Sequence, residues 1–320
     1  MKSTIGNTGA LALASGLDGV PLDHVQELLL AGQVHEGMDL LFAVLQTRKL
    51  SLSDAVWTRF AELCVRHRLR GVVHEDPFTR RAFEKPRGYA GDAVMLDYIY
   101  GREEQWPEPA GMTSLGAEIF NYTTGSAASE AVRARRGFMA DFLDRLTEEL
   151  QRPHILSVAA GHLREAGLAA AVRRRKLGRF VAVDVDALSL EEVQRCYGAY
   201  GVETINASFR QLLGRRLSLG EFDLVYSTGL FDYLQLTAAQ RLALTMFNML
   251  WPGGRLLVAN FLPGIPAVGY METYMGWKLI YRTRREMFDI ADAIPQAKIR
   301  DIRLFADDNE HIIFLQVTRK

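Results

Sequence analysis

Three short stretches in the second half of the chain have residue types and spacing suited to holding a ribose-bearing ligand. The first, Ser157-Val158-Ala159-Ala160-Gly161-His162-Leu163-Arg164-Glu165, offers close backbone approach. Gly161 has no side chain to keep a ligand away, and the small Ala159 and Ala160 do nearly the same. Small residues after a strand also serve plain packing, and the absence of a GxGxxG pattern argues against a dinucleotide pyrophosphate cradle. The second, Val183-Asp184-Val185-Asp186, sets Asp184 23 positions after Gly161. A carboxylate at the tip of a second strand can accept from both ribose hydroxyls. Either aspartate could instead cap the following helix; the preferred assignment gives the ribose to Asp184 and the cap to Asp186. The third stretch, Phe222-Asp223-Leu224-Val225-Tyr226-Ser227-Thr228-Gly229, delivers Thr228 and Gly229 to the sheet edge, where a reacting methyl or hydride would lie.

Composition narrows the field. The 320 residues are 48% hydrophobic and 24% charged, which excludes a disordered or fibrous chain. Lys plus Arg and Asp plus Glu both number 38, so no bulk field holds a polyanion and no nucleic-acid partner is expected. Two cysteines, Cys64 and Cys196, and seven histidines without an HxxxH or HxH pair make neither a disulfide framework nor a metal site. No apolar run reaches the roughly 18–20 residues that span a bilayer. Lys2 and the stretch Ala10-Leu11-Ala12-Leu13-Ala14 resemble a signal peptide only faintly, so a cytoplasmic protein is expected.

The elements that must position these residues follow from periodicity. Apolar stripes through Val25, Leu28 and Leu29, through Met38, Leu41, Phe42 and Leu45, and through Val56, Phe60 and Leu63 predict helices in the first third. Periodicity fades over residues 76–127, which read as an ordered loop region containing Lys85-Pro86-Arg87-Gly88-Tyr89-Ala90-Gly91-Asp92. A long helix is predicted over residues 129–150. Strands are expected at 155–159, 180–185, 203–206, 222–227 and 255–261, with helices between them at 163–176, from the Ser189-Leu190-Glu191-Glu192 box onward, and from Thr237 to Leu250. This alternation predicts a doubly wound parallel α/β sheet. Two further strands at 298–305 and 311–317 are joined by a turn too short for a crossover helix, so the sheet should end in an antiparallel hairpin. The expected domains are residues 1–150, a helical lid region, and residues 151–320, the sheet domain. Arg173-Arg174-Arg175-Lys176 reads as a solvated helix end.

The small-residue turn at Gly161, Asp184, the FDLVYSTG strand, Pro252-Gly253-Gly254 and the terminal hairpin resemble, in that order, a class I S-adenosylmethionine-dependent methyltransferase over residues 150–320. The resemblance implies a Rossmann-like methyltransferase sheet with S-adenosyl-L-methionine bound by Ser157, Ala159, Gly161, His162, Asp184, Val185, Ser208, Phe209, Thr228 and Gly229. Members of that class often carry an acidic residue where Ser157 stands, and glycines where Ala159 and Leu163 stand. Help from the N-terminal part is then needed, and Arg87, Tyr89 and Arg133 are the candidates.

The stretch from Lys85 to Asp92, the helix from Ser129 to Arg133, and Trp277-Lys278-Leu279-Ile280-Tyr281-Arg282-Thr283 resemble a bacterial methyltransferase group associated with a 3-hydroxy fatty acid methyl ester. That implies O-methylation of a small-molecule carboxylic acid, with Tyr98, Tyr270, Tyr274, Trp277, Arg282 and Arg87 as candidates for holding the acceptor. The aromatic segment from Gly269 to Trp277 is read as a substrate wall, or as a packed insertion. A hydroxyl or amine acceptor, a nicotinamide-dependent oxidoreductase and a non-catalytic partner protein are the competing readings. A homodimer stays open.

Overall fold

In the computed structural model, residues 20–104, 109–214 and 219–320 are described; the stretch Ala10–Ala14 lies outside them. Seven strands form one sheet: β1 (His154–Val158), β2 (Arg179–Asp184), β3 (Val202–Asn206), β4 (Phe222–Ser227), β5 (Leu250–Phe261), β6 (Ile299–Ala306) and β7 (Ile312–Arg319). Their order is β3-β2-β1-β4-β5-β7-β6. The first five run parallel, and β7 pairs antiparallel with both β5 and β6. The order reverses between β1 and β4, which makes the crevice at their carboxyl ends the place for a ligand. The core includes Leu156, Val158, Val181, Val183, Val225, Leu256, Val258, Ile313 and Leu315. Near-continuous apolar runs of this kind are what strands covered on both faces require. The turn into β7 is closed by Asp307, whose Oδ1 accepts the amides of His311 at 2.8 Å and Ile312 at 2.6 Å.

The chain divides into two compact units. Of the described residues, one holds those up to Ser129 together with Pro266–Lys278; the other holds those of 130–265 and 279–320. The division falls between Ser129 and Glu130 and again on either side of Pro266–Lys278. The reason is packing: Phe138, on the helix Ala127–Glu149, lies 5.4 Å from the ring of Phe305 on β6 and 4.5 Å from that of Phe314 on β7. Within the helical unit, Glu272 anchors the inserted segment Pro266–Lys278. Its Oε2 accepts from Trp57 Nε1 at 2.7 Å and Lys49 Nζ at 3.0 Å.

Four expectations about elements need correction. Residues 76–127 are largely helical, as Pro77–Glu84, Ala93–Glu104 and Ser114–Thr124. The first is too short to show a period, but it has a strong start: Asp76 caps it and Pro77 occupies its first turn. The helix expected over 163–176 is instead two short pieces, Glu165–Leu168 and Ala170–Arg173, separated by extended backbone at Ala169. The helix Ala187–Tyr197 begins earlier than the Ser189 box. Its cap is Asp186, whose Oδ1 accepts from Leu188 N and whose Oδ2 accepts from Ser189 Oγ. The helix Leu236–Phe247 likewise starts after Gln235, without a side-chain cap. No helix among the described residues is long and apolar enough to cross a membrane, and no group of His, Cys, Asp and Glu among them could hold a metal ion.

Candidate functional site

Alternate residues of the turn after β1 lie in the left-handed region. Ala159 has φ 56°, Gly161 φ 53° and Leu163 φ 51°. Only Gly161 is the residue type that adopts this freely; the other two hold it against a cost of about 1–2 kcal/mol each. The turn is pinned by Ala160 N–H donating to Val183 O at 3.1 Å, Leu163 N–H to Ala160 O at 2.9 Å, and Gly161 N–H to Asp184 Oδ2 at 2.8 Å. The buried Leu163 side chain anchors it from below, while Ala159 is exposed. The glycine-type backbone is thus present although two of the expected glycines are not.

Asp184 ends β2 and is only 5% exposed. Its Oδ2 takes the Gly161 amide and its Oδ1 the Asp186 amide, at 2.8 and 2.9 Å. Burial raises its pKa, and the two amides pull the other way. An ionised carboxylate has about four lone-pair sites, so this arrangement fixes the group and leaves capacity for two ribose hydroxyls. Beside it stand Val185 and Leu188, 62% and 57% exposed. Two apolar side chains this open, next to a buried acid, fit the flank of an adenine ring. Ser208 caps the helix Phe209–Leu213 in a reciprocal box with Gln211, so its hydroxyl is engaged locally, and Phe209 packs partly on the sheet core.

At the end of β4, the Tyr226 hydroxyl donates to Glu165 Oε1 at 2.8 Å. Burial raises the pKa of both groups, that of Tyr226 well above the usual phenol value. Ser227 Oγ is buried and makes no hydrogen bond among the described residues. The helix Ala127–Glu149 brings in Arg133, Arg135 and Arg136, which are 7%, 6% and 5% exposed. Arg135 Nη1 donates to Thr228 O. Asp232, in the turn Phe231–Tyr233, accepts the Phe261 amide at 2.8 Å, and burial pushes its pKa up to about 6. Arg282 is 3% exposed and donates to Phe231 O, Leu234 O and Asn260 Oδ1. Its guanidinium clamps the turn after β4, so gripping an acceptor would mean giving up these bonds.

Sequence reasoning named Arg133 but missed Arg135, Glu165, Tyr226, Asp232 and Leu188. The only signal was Arg133-Ala134-Arg135-Arg136 beside an apolar stripe, which reads like any solvated face.

The other predicted residues belong to the helical unit. The loop from Lys85 to Asp92 is held at its ends: Arg81 donates to both oxygens of the fully buried Asp92, at 2.7–3.1 Å, and Met95 N–H adds a bond at 3.0 Å. Arg87 and Tyr89 sit half-buried between them, next to Gly88 at φ 88°. Tyr98 is half-buried, edge-on to Phe120. Tyr270 and Tyr274 are 1% and 0% exposed. Tyr270 shares a hydrogen bond with Thr79 Oγ1 at 2.9 Å and stacks on Phe42, while Tyr274 OH reaches Cys64 O at 3.5 Å. Both rings form the core of the helical unit rather than the wall of an open cavity, because the segment that carries them is clamped through Glu272. Trp277 is also buried, its amide bonded to Met271 O.

Comparison with known proteins bears on the sheet unit first. Residues 156–258 match the family model for a methyltransferase domain. Among solved structures, a possible exported protein from Bordetella parapertussis is 16% identical over 98% of this chain and 99% of its own, with a TM-score of 0.57. Magnesium protoporphyrin IX methyltransferase from Synechocystis, with S-adenosylhomocysteine bound, is 13% identical over 71% of this chain and 98% of its own, at a TM-score of 0.46. The N-methyltransferase NodS from Bradyrhizobium japonicum, in complex with S-adenosylhomocysteine, is 13% identical over 70% and 99%, at 0.43. At such identities the likeness speaks for the fold alone. No curated protein matches the chain.

Proposed function

We propose that the chain is a class I S-adenosylmethionine-dependent methyltransferase, a reading supported by the methyltransferase-domain match over residues 156–258 and by the sheet order, and that its acceptor is the carboxylate of a small organic acid, released as the methyl ester. The observation that supports this reading is Arg135, buried at the end of β4, where its Nη1 donates to Thr228 O and its Nη2 lies 4.0 Å from the point where a side chain at Gly229 would begin. Guanidinium pairs with carboxylate in a two-pronged geometry.

When bound, S-adenosylmethionine supplies an electrophilic methyl group on a sulfonium. In our reading, Asp184 holds the ribose, Val185 and Phe209 flank the adenine, and backbone at Ala159, Gly161 and His162 borders the amino-acid end. Thr228 and Gly229 border the methyl group. A carboxylic acid of pKa near ~4 is ionised at neutral pH, so the chain needs no general base. Its task is to hold one carboxylate oxygen in line with the methyl group, and positioning of this kind can supply roughly 7–11 kcal/mol. A reducing, cytoplasmic setting suits Cys64 and Cys196, which are both free.

The test is the fate of a labelled methyl group. Incubation with methyl-labelled cofactor and a panel of acids should yield product whose label is released as methanol by mild alkali, with a flat rate profile between about pH 6 and 9. Alkali-stable label, or a steep rise near the unperturbed histidine pKa of about 6.5, would transfer the reading to a hydroxyl or amine acceptor.

A further inference from the structure

A cavity of about 570 Å³ lies at the β6 edge of the sheet, between the helix Ala127–Glu149 and one face of β5, β7 and β6. We infer that it is a second ligand site, for a small molecule with a flat apolar body and one anionic group, carboxylate or phosphate. It is separate from the crevice at the strand ends. β7 and β6 lie on the far side of β5 from the β1–β4 switch point, and Arg255, in the cavity wall, stands about 20 Å along β5 from the end of that strand.

Strand pairing and helix spacing build the walls. Asp301, Arg303 and Phe305 alternate along β6, and their register partners Thr318, Gln316 and Phe314 alternate along β7, so these side chains share one face. Arg255 on β5 joins them as the other partner of Thr318. The pairing shifts between Ile299 and Asp301, which makes Arg300 an extra residue opposite β7. Consecutive strand residues point to opposite faces, yet Arg300 and Asp301 both line the cavity. Re-aiming a side chain in this way is what a bulge on an edge strand does. The helix supplies the opposite wall: Phe138, Phe142, Arg145 and Glu149 follow at three- and four-residue spacing and therefore lie on one helix face.

Both walls run from rings to charges in the same order. Phe138 packs on Phe305 at 5.4 Å, and Phe305 stacks on Phe314 at 5.2 Å. Phe138 and Phe305 line the cavity and are half-buried, which leaves ring surface for a flat apolar group. Further along, Arg255 is paired with Glu149, and Arg303 with Asp301. Arg145 and Arg300 have no carboxylate partner among the described residues, and Arg145 Cζ lies 6.0 Å from the centre of the Phe138 ring. Four arginines against two carboxylates leave two positive charges facing one space. Guanidinium forks match a carboxylate or a phosphate in two-pronged geometry. Edge strands do carry charge to repel another sheet, and that accounts for Arg303 with Asp301. It does not account for Arg145 on the helix opposite, or for a bulge that turns Arg300 toward half-open rings.

The experiment is titration calorimetry on the full chain with 1-naphthoate and 1-naphthyl phosphate. Two controls, 1-naphthalenemethanol and inorganic phosphate, each lack one half of the ligand. At least one naphthyl anion should bind with a Kd of about 1 mM or tighter, and the tighter of the two identifies the anionic group. Both controls should bind about tenfold more weakly or worse. Arg145→Ala and Arg300→Ala remove exposed side chains, so both variants should fold. Each should weaken the naphthyl anion about fivefold, and the double variant about 25-fold. Lys298→Ala removes an exposed cation on the same edge that does not line the cavity, and should change binding by less than about twofold. The inference is overturned if neither naphthyl anion binds, or if the neutral alcohol binds as tightly as they do. Binding that ignores the double variant would put the anion elsewhere, and an equal loss in Lys298→Ala would reduce the site to surface charge; either result overturns it as well.

Discussion

The helical unit and the sheet unit both bury carboxylates, and they surround them differently. In the helical unit, Asp76 accepts from Phe78 N, Thr79 N, Thr79 Oγ1 and Thr123 Oγ1. Asp92 is gripped by Arg81, and Glu272 by Lys49 and Trp57. Each is closed by partners that join one helix or loop to another. In the sheet unit, Asp184 takes two backbone amides and stands beside the strand-end turn with acceptor capacity left, and Glu165 takes one phenol within the field of Arg135 and Arg136. Closed carboxylates hold architecture together; open ones at strand ends are suited to a ligand.

The sharpest way to break that comparison is to open a closed pair. Arg81→Ala leaves the fully buried Asp92 without its cation, and an unpaired buried charge costs about 3–5 kcal/mol. Urea unfolding should show a loss of that size, whereas Glu165→Gln should lose less than about 1 kcal/mol. Comparable losses in the two variants would erase the distinction.

A second test uses pH. Burial pushes both Asp76 and Asp232 from 3.8 up to about 6. A carboxyl whose folded pKa is raised holds its proton longer when folded. Its contribution is therefore complete below about 3.8 and is lost as pH rises through about 6, to at most about 3 kcal/mol per group. Unfolding midpoints should fall between about pH 4 and 6. Asp232→Asn keeps an acceptor for the Phe261 amide and should flatten this slope without loss at pH 7. Asp76→Asn should instead destabilise by about 1–3 kcal/mol, because an amide nitrogen would face donors. The same sign for both variants at pH 7 would count against the contrast.

The sheet was legible because its strands are short apolar runs between turn residues, and because the turn from Ala306 to Glu310 cannot hold a crossover helix. Asp184 was legible for a similar reason: an acid at a strand tip is a local feature. The helices at Pro77–Glu84 and Ser114–Thr124 were not, since their stability comes from caps and packing more than from period. Least legible was buried charge. Arg133, Arg135 and Arg136 look in sequence like Arg173, Arg174 and Arg175, yet the first set is buried and the second exposed. Which side of a helix faces the sheet is decided by contacts far away in sequence. Glu165 was hidden in the same way, because its partner Tyr226 lies on another strand.

A smaller effect belongs to Asp184. Asp184→Ala removes the acceptors for two ribose hydroxyls and also frees the Gly161 amide, so cofactor affinity measured by calorimetry should fall about tenfold or more. Asp184→Asn, which can still accept from one amide, should fall less. Unchanged affinity in the alanine variant would remove Asp184 from the site.

The smallest predicted effect separates the two residues that stand where the family has glycine. At Ala159 the left-handed backbone costs about 1–2 kcal/mol, and the exposed methyl group gains little from packing. Ala159→Gly removes that cost and adds roughly 0.5–1 kcal/mol of unfolded-chain entropy. The net change should be a stabilisation of no more than about 1 kcal/mol. Leu163 has the same backbone strain, but its side chain is 1% exposed. Losing a buried leucine costs about 2–5 kcal/mol, more than the strain relieved, so Leu163→Gly should be clearly destabilising. Opposite signs in urea unfolding would mean that Leu163 replaces glycine for the sake of the core, while Ala159 merely tolerates its conformation. If Ala159→Gly also destabilised, the methyl group at Ala159 would have to be packing against something in the crevice, and that position would become part of the binding surface.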